Sequence, residues 1–159
     1  MSVVQHPGPL LPGGPSLRLD VPDGWHVAPA PRAIAVARPA SDLPGFVPNL
    51  TVTADLVPAG TTAVQVLDAM LAQYPGTRGT AGGTPSSALL TRDHDSGTVR
   101  QRVDVLVDPT PLPGGHQHAV TVVSSWSDST PTDLRDSLAD AHTSVRLGSR
   151  RPGPGLTAT

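Results

Sequence analysis

Histidine is the side chain whose ordinary pKa lies nearest to neutral pH, and the sequence contains six histidines. His116 and His118 are the best-spaced pair, because alternate residues of a strand point to the same face. Such a pair suits metal ligation or acid–base work, and it gives one hypothesis, a small hydrolase or isomerase with a histidine base. The alternative is that both side chains lie in solvent at the mouth of a glycine-rich loop. Since no carboxylate stands in the local motif, the sequence favours solvent positions and no metal site.

Other groups that resemble catalytic motifs have structural explanations. The run Asp93-His94-Asp95 precedes a serine–glycine hairpin turn, which accounts for its polarity. Ser124 and Ser125 lie inside a strand pattern, and no Gly-x-Ser-x-Gly elbow occurs. The glycine-rich stretch Gly76–Gly83 follows a helix and leads into a strand, which is the reverse of a phosphate-binding loop. His142 is isolated in the sequence. We therefore predict no catalytic residue and no cofactor.

One polar strand face is the best candidate for binding a partner. Arg100, Arg102 and Asp104 alternate with a second set of residues on the same predicted strand, namely Val99, Val103 and Val105. Period-2 alternation places the three polar side chains opposite the valines and away from the core that the valines enter. The alternative is that these residues form the ordinary solvated side of an antiparallel sheet. We take Arg100, Arg102 and Asp104 as the candidate partner-binding residues.

Composition limits the class of partner. The chain has 159 residues, a hydrophobic fraction of 37% and a charged fraction of 15%, which predicts one folded domain. Its formal charge of −2 means that it has no positive surface field to attract nucleic acid. It has no cysteine, and no run approaches the roughly 20 apolar residues of a membrane-spanning helix. Residues 1–14 lack the pattern of a secretory signal. We expect a cytoplasmic protein that binds another protein and does not insert into a membrane.

Hydrophobic periodicity predicts the elements that carry these residues. Alternation predicts strands, and steps of three and four residues predict two helices, one from Thr62 to Tyr74 and one that begins with Thr130 as N-cap and Pro131 as first residue. The predicted strands are Leu17–Val21, Ala33–Arg38, Leu50–Val57, Ser87–Arg92, Thr98–Val107 and Gln117–Trp126, the last three as an antiparallel meander. The predicted fold class is α+β, an antiparallel sheet of about six strands with two main helices packed on it. The single domain covers 16–147, between flexible tails 1–15 and 148–159.

Two short segments carry a resemblance to a known family. Leu19-Asp20-Val21-Pro22-Asp23-Gly24-Trp25 stands near the start, and Phe46-Val47-Pro48-Asn49-Leu50-Thr51-Val52 stands before the first helix. In these segments and in element order the chain resembles the actinobacterial LpqN-like proteins, which have a PsbP-like fold. The resemblance implies a non-enzymatic binding or adaptor domain, or an accessory chaperone for a secreted protein. It also implies that Trp25 lies over the edge of the core.

Overall fold

The computed structural model describes residues 13–74, 77–79, 86–95 and 97–148. The predicted tails therefore lie outside the described residues except for residues 13–15 and 148, and so does most of the glycine-rich stretch 76–83. The strands are β1 (Leu17–Arg18), β2 (Trp25–Ala30), β3 (Ala33–Pro39), β4 (Asn49–Pro58), β5 (Thr77–Gly79), β6 (Ser87–His94), β7 (Gly97–Val107), β8 (His116–Ser127) and β9 (Arg146–Leu147). The helices are α1 (Ala63–Leu71), between β4 and β5, and α2 (Thr132–Ser144), between β8 and β9.

Seven strands form one antiparallel sheet in the order β2-β3-β4-β8-β7-β6-β5. The α+β class and the predicted meander of β6, β7 and β8 are confirmed. The sheet has one strand more than the predicted six or so, and β2 and β5 were not predicted. The predicted strand Leu17–Val21 is shorter than expected: only Leu17–Arg18 is extended, and it pairs with β9 in a separate two-stranded ribbon.

A capping box starts α1, as the spacing of Thr62 and Gln65 in the sequence predicts. The Thr62 hydroxyl oxygen accepts the Gln65 backbone N–H at 3.2 Å, and the Gln65 side-chain oxygen accepts the Thr62 N–H at 2.8 Å. Both groups would otherwise be unsatisfied in the first turn. The helix ends at Leu71, three residues before the predicted Tyr74, and it buries Leu67 and Leu71 against the sheet.

The start of α2 differs from the prediction. Pro131 occupies the N-cap position and offers no side-chain cap. Thr130 is not the cap, because its hydroxyl oxygen accepts the backbone N–H of Ser127 at 3.0 Å and closes the turn that leaves β8. The helix then ends at Ser144, and the extended backbone of Val145 leads directly into β9.

The two helices cover opposite faces of the sheet. The strand register places Asp104 beside Val122 and Val103 beside Val123. The even-numbered residues of β7 and β8 therefore lie on one face of the sheet, and their odd-numbered residues lie on the other. The even face packs against α2 in a cluster of Ala37, Leu50, Val52, Val120, Val122, Leu138, Ala141 and Val145. The odd face packs against α1 in a cluster of Leu67, Leu71, Ala88, Leu90, Val103 and Val105. A helix on each face leaves part of both faces uncovered.

The turn before β2 places Trp25 against the core, as the family resemblance implied. The Trp25 N–H donates to the Pro22 oxygen at 3.2 Å, and Gly24 has a φ of 75°, which a side chain would strain. The half-buried indole packs against the cluster under α2. Within the described residues, no helix is long and apolar enough to cross a bilayer.

Candidate functional site

Four elements bring one polar cluster together on the even face. The register sets Arg102 opposite Ser124 and Asp104 opposite Ser87, which joins β6, β7 and β8 in one patch. Helix α2 crosses this patch and adds His142. We call Ser87, Arg102, Asp104, Ser124 and His142 the polar cluster. Of these five, the sequence analysis had singled out Arg102 and Asp104 for binding.

Asp104 is the centre of the polar cluster. Its Oδ1 accepts the Ser87 hydroxyl at 2.5 Å, and its Oδ2 accepts Nη2 of Arg102 at 2.8 Å. Nε2 of His142 lies 2.9 Å from the same Oδ2. Burial alone would raise the pKa of this carboxyl, but the close contact with His142 and the hydrogen bonds from Ser87 and Arg102 outweigh burial and hold the pKa well below its ordinary value. Asp104 is therefore a carboxylate at neutral pH.

His142 links the helix to the sheet. Its side chain is completely buried, and Nδ1 lies 2.9 Å from the Ser124 hydroxyl oxygen. Nε2 is close to the carboxylate of Asp104, but an N–H there is not aligned with any acceptor among the described residues. The contact between Nε2 and Oδ2 is therefore a close electrostatic one without good hydrogen-bond direction.

Ser124, His142 and Asp104 are the three residue types of a serine hydrolase in mutual contact. In such an enzyme the serine oxygen must meet a substrate carbonyl. Ser124 is only 2% exposed and lies in the middle of β8 under α2, so no substrate reaches its oxygen while the helix is packed. A cavity of about 340 Å³ lies between α2 and residues 20–22, but neither Ser124 nor His142 lines it. In this arrangement the contacts of His142 with Ser124 and Asp104 attach α2 to the sheet.

Arg100 occupies the neighbouring, uncovered part of the same face. Its Nε donates to Oδ1 of Asp128 at 2.8 Å, and the two side chains are 44% and 60% exposed. The hydrogen bond and the charge of Asp128 raise the pKa of Arg100, while the pKa of Asp128 is lowered by Arg100. Half-buried Trp126 lies directly opposite Arg100 in the register. We call Arg100, Arg102, Trp126 and Asp128 the arginine face.

The predicted division of β7 into two faces is correct. Val99, Val103 and Val105 are buried, and Arg100, Arg102 and Asp104 lie on the other side. The expectation that all three polar side chains face away from the core needs correction for Asp104. Its side chain is only 21% exposed because α2 packs over this end of the face. Arg102, with 28% exposure, stands at the boundary between the covered and the uncovered parts.

His116 and His118, the pair singled out in the sequence, differ in burial. His116 is exposed, but His118 is only 4% exposed, so the expectation that both lie in solvent is wrong for His118. His94 is placed with its ring edge-on to Phe46, with the ring centroids 5.5 Å apart. Across residues 13–74, 77–79, 86–95 and 97–148, no group of three or more potential metal ligands occurs.

Ser87, Ser124 and His142 were not predicted to belong to the site. A signal for His142 was present, because it follows Leu138 by four residues and precedes Val145 by three, which puts it on the apolar face of its helix. A histidine on a buried helix face needs polar partners. Its partners come from β7 and β8, and no local pattern shows which strand residues meet it.

The fold is similar to that of a protein of known structure. No family model matches the chain, and no curated protein matches it in sequence. A solved structure of LpqN, involved in cell envelope biogenesis of Mycobacterium tuberculosis, is similar with a TM-score of 0.60 and 19% sequence identity. The match covers 91% of this chain and 88% of that chain. The resemblance noted in the sequence is therefore confirmed at the level of the fold.

Proposed function

We propose that this domain is a non-enzymatic binding module and that its partner is a protein that docks on the arginine face. The observation that carries the proposal is the contrast within one face of the sheet. The groups that could do chemistry, Ser124 and His142, are sealed under α2, whereas the neighbouring Arg100 is 44% exposed. Polar groups that remain open to solvent on a rigid sheet can bind a partner without catalysis.

The arginine face has the properties of an interface centre. Arginine and tryptophan are enriched among residues whose truncation costs the most binding energy, and here Arg100 lies directly opposite Trp126. Arg100 donates to Asp128 and Arg102 donates to Asp104, and each ion pair favours one orientation of its arginine before a partner arrives. Prior ordering lowers the entropy that binding must overcome. The fold is similar to that of a protein involved in cell envelope biogenesis, and an adaptor or accessory chaperone role is compatible with that likeness.

A photo-crosslinking experiment tests the docking surface. A photoreactive phenylalanine derivative at Thr98, which lies on the same face of β7 as Arg100, leaves the arginines in place. It should capture a discrete partner from a lysate of the host organism, identified by mass spectrometry. The matched control is the same amino acid at Arg38, an exposed arginine on the other face of the sheet. An equal pattern of products from both positions, or a specific product from position 38 alone, would contradict docking on the arginine face.

A second candidate function is a hydrolase, because Ser124, His142 and Asp104 are in contact. Activity would require α2 to move and expose the Ser124 oxygen. A fluorophosphonate probe, which labels activated serines, distinguishes the two candidates. The binding proposal predicts that folded protein is labelled no faster than a Ser124→Ala variant. Rapid labelling that depends on both Ser124 and His142 would replace the binding proposal with the hydrolase.

A further inference from the structure

A small pocket lies on the odd face of the sheet, beside the C-terminal end of α1. Its floor is formed by apolar side chains from three adjacent strands, Leu90, Val103 and Val123. Its wall is formed by Met70 and Tyr74, at the end of the helix and just beyond it. We call this space the α1 pocket. It lies on the opposite face of the sheet from the arginine face.

The sheet and the helix end fix the apolar part of the α1 pocket. Val103 lies directly opposite Val123 in the register, and both belong to the cluster under α1. The Tyr74 N–H donates to the Leu71 oxygen at 3.1 Å, in a turn that keeps Tyr74 beside the sheet. The volume of the pocket is about 90 Å³. Since a dry aliphatic cavity of about 150 Å³ binds benzene, the α1 pocket has room for a smaller, branched aliphatic group.

Arg92 gives the α1 pocket a positive charge. Its exposed side chain lines the pocket. Arg100 and Arg102 are in ion pairs, whereas Arg92 forms none with any residue that the structure describes. The lining also includes Gln101, whose amide donates to the Ser125 hydroxyl oxygen at 2.9 Å and has no charge. One unpaired guanidinium therefore stands beside an apolar floor.

We propose that the α1 pocket binds a small carboxylic acid with a branched aliphatic body. The branched group lies on the floor of Leu90, Val103 and Val123, and the carboxylate pairs with Arg92. A guanidinium presents its N–H groups in a planar fork that matches the two oxygens of a carboxylate. The Tyr74 hydroxyl is a further donor in the lining.

The charges of the α1 pocket predict which acids it rejects. Among the described residues, no carboxylate lines the pocket. The ammonium group of a free amino acid would therefore find no opposite charge there and would lie near the positive Arg92. We expect the pocket to prefer a simple acid over an amino acid with the same side chain. Because the pocket and the arginine face are on opposite sides of the sheet, the inference is independent of the proposed function.

A titration with 3-methylbutanoate, followed by methyl NMR, tests the inference at pH 7. The probe is fully charged there, because a carboxyl group has an ordinary pKa of about 4. We expect saturable shifts of the Met70, Leu90 and Val103 methyl signals, with a Kd on the order of a few millimolar for so small a ligand. The uncharged 3-methylbutanamide, the unbranched acetate and leucine should each bind at least about fivefold more weakly.

Two arginine variants provide the matched comparison. Arg92→Gln should weaken binding of 3-methylbutanoate at least about fivefold, with methyl signals outside the pocket unchanged. Arg38→Gln removes another exposed arginine from the same face of the sheet, away from the pocket, and should leave the Kd unchanged. An equal loss in both variants would show that only the general surface charge matters, and it would overturn the site.

Three other results would also overturn the inference. Equal binding of the amide and the acid would mean that Arg92 does not recognise a carboxylate. No saturable shift at concentrations several times the expected Kd would mean that the pocket does not bind this class of ligand. If acetyl-glycyl-leucine binds tenfold more tightly than 3-methylbutanoate, the ligand is the C-terminal end of a peptide and not a free acid.

Discussion

Replacing Asp104 tests whether the polar cluster stabilises the attachment of α2. Asp104→Ala removes the acceptor of the Ser87 hydroxyl and the carboxylate that lies against His142, and both of these side chains are buried. A buried donor left without its acceptor costs about 1–3 kcal/mol. His142 can avoid part of that cost by donating from Nδ1 to Ser124, and Arg102 can turn to water. We therefore expect a loss of about 2–4 kcal/mol in the free energy of unfolding.

The neighbouring ion pair between Arg100 and Asp128 provides a matched control. Asp128→Ala breaks the Arg100–Asp128 pair, which has the same chemistry but is 44% and 60% exposed. Exposed pairs contribute about 0–1 kcal/mol. Urea denaturation of both variants gives the comparison, with the slope checked for two-state behaviour. If Asp104→Ala falls within about 0.5 kcal/mol of Asp128→Ala, the polar cluster does not hold the helix.

The pH dependence of stability gives a second readout of the same residue. The folded-state pKa of Asp104 is lower than its ordinary value of 3.8, so the unfolded chain binds more protons in the acid range. The stability from Asp104 is therefore fully present above about pH 5 and is lost as pH falls below about 4. The difference in unfolding free energy between wild type and Asp104→Asn should shrink over that range. A difference that grows below pH 4 would show that the sign is wrong.

Three further predictions concern the scaffold. Thr62→Ala should cost about 1 kcal/mol in urea denaturation, because it removes the hydroxyl half of the capping box, and no change would mean that the box contributes nothing. Trp25→Ala should destabilise by roughly 3 kcal/mol through lost packing, and an unchanged denaturation midpoint would show that the indole packs weakly. Removing 1–12 and 149–159 should leave Tm within about 2 °C, whereas a larger fall would give these residues a part in the fold.

The elements that depend on neighbouring residues were predictable. The capping box of α1 requires only Thr62 and Gln65 three residues apart, and the meander requires only alternation and turns. Strand β2 escaped prediction because its residues Trp25–Ala30 include Pro29 and show no alternation of buried and exposed side chains. A proline is tolerated there because β2 lies at the edge of the sheet, where one side of the strand has no partner.

The candidate site was predictable only in part, because it depends on which face each helix covers. Alternation correctly placed Arg100 and Arg102 on one face of β7. It does not show that α2, which follows β8 in the chain, folds back and packs on that same face. The return brings His142 to Asp104, a residue 38 positions earlier in the chain. Such a contact depends on the packing of whole elements, and local periodicity contains no information about it.

The ribbon of β1 and β9 brings together the two points at which the chain enters and leaves the domain. Leu17 stands directly opposite Leu147, so the strand that enters the fold and the strand that leaves it are about 5 Å apart. A force that separates the two ends would unzip this short ribbon before it loads the seven-stranded sheet. A domain whose first and last strands lie this close is also suited to insertion into a loop of another protein. A circular permutant that joins 148 to 13 by a short glycine linker and opens at Gly114–Gly115 should retain the whole sheet.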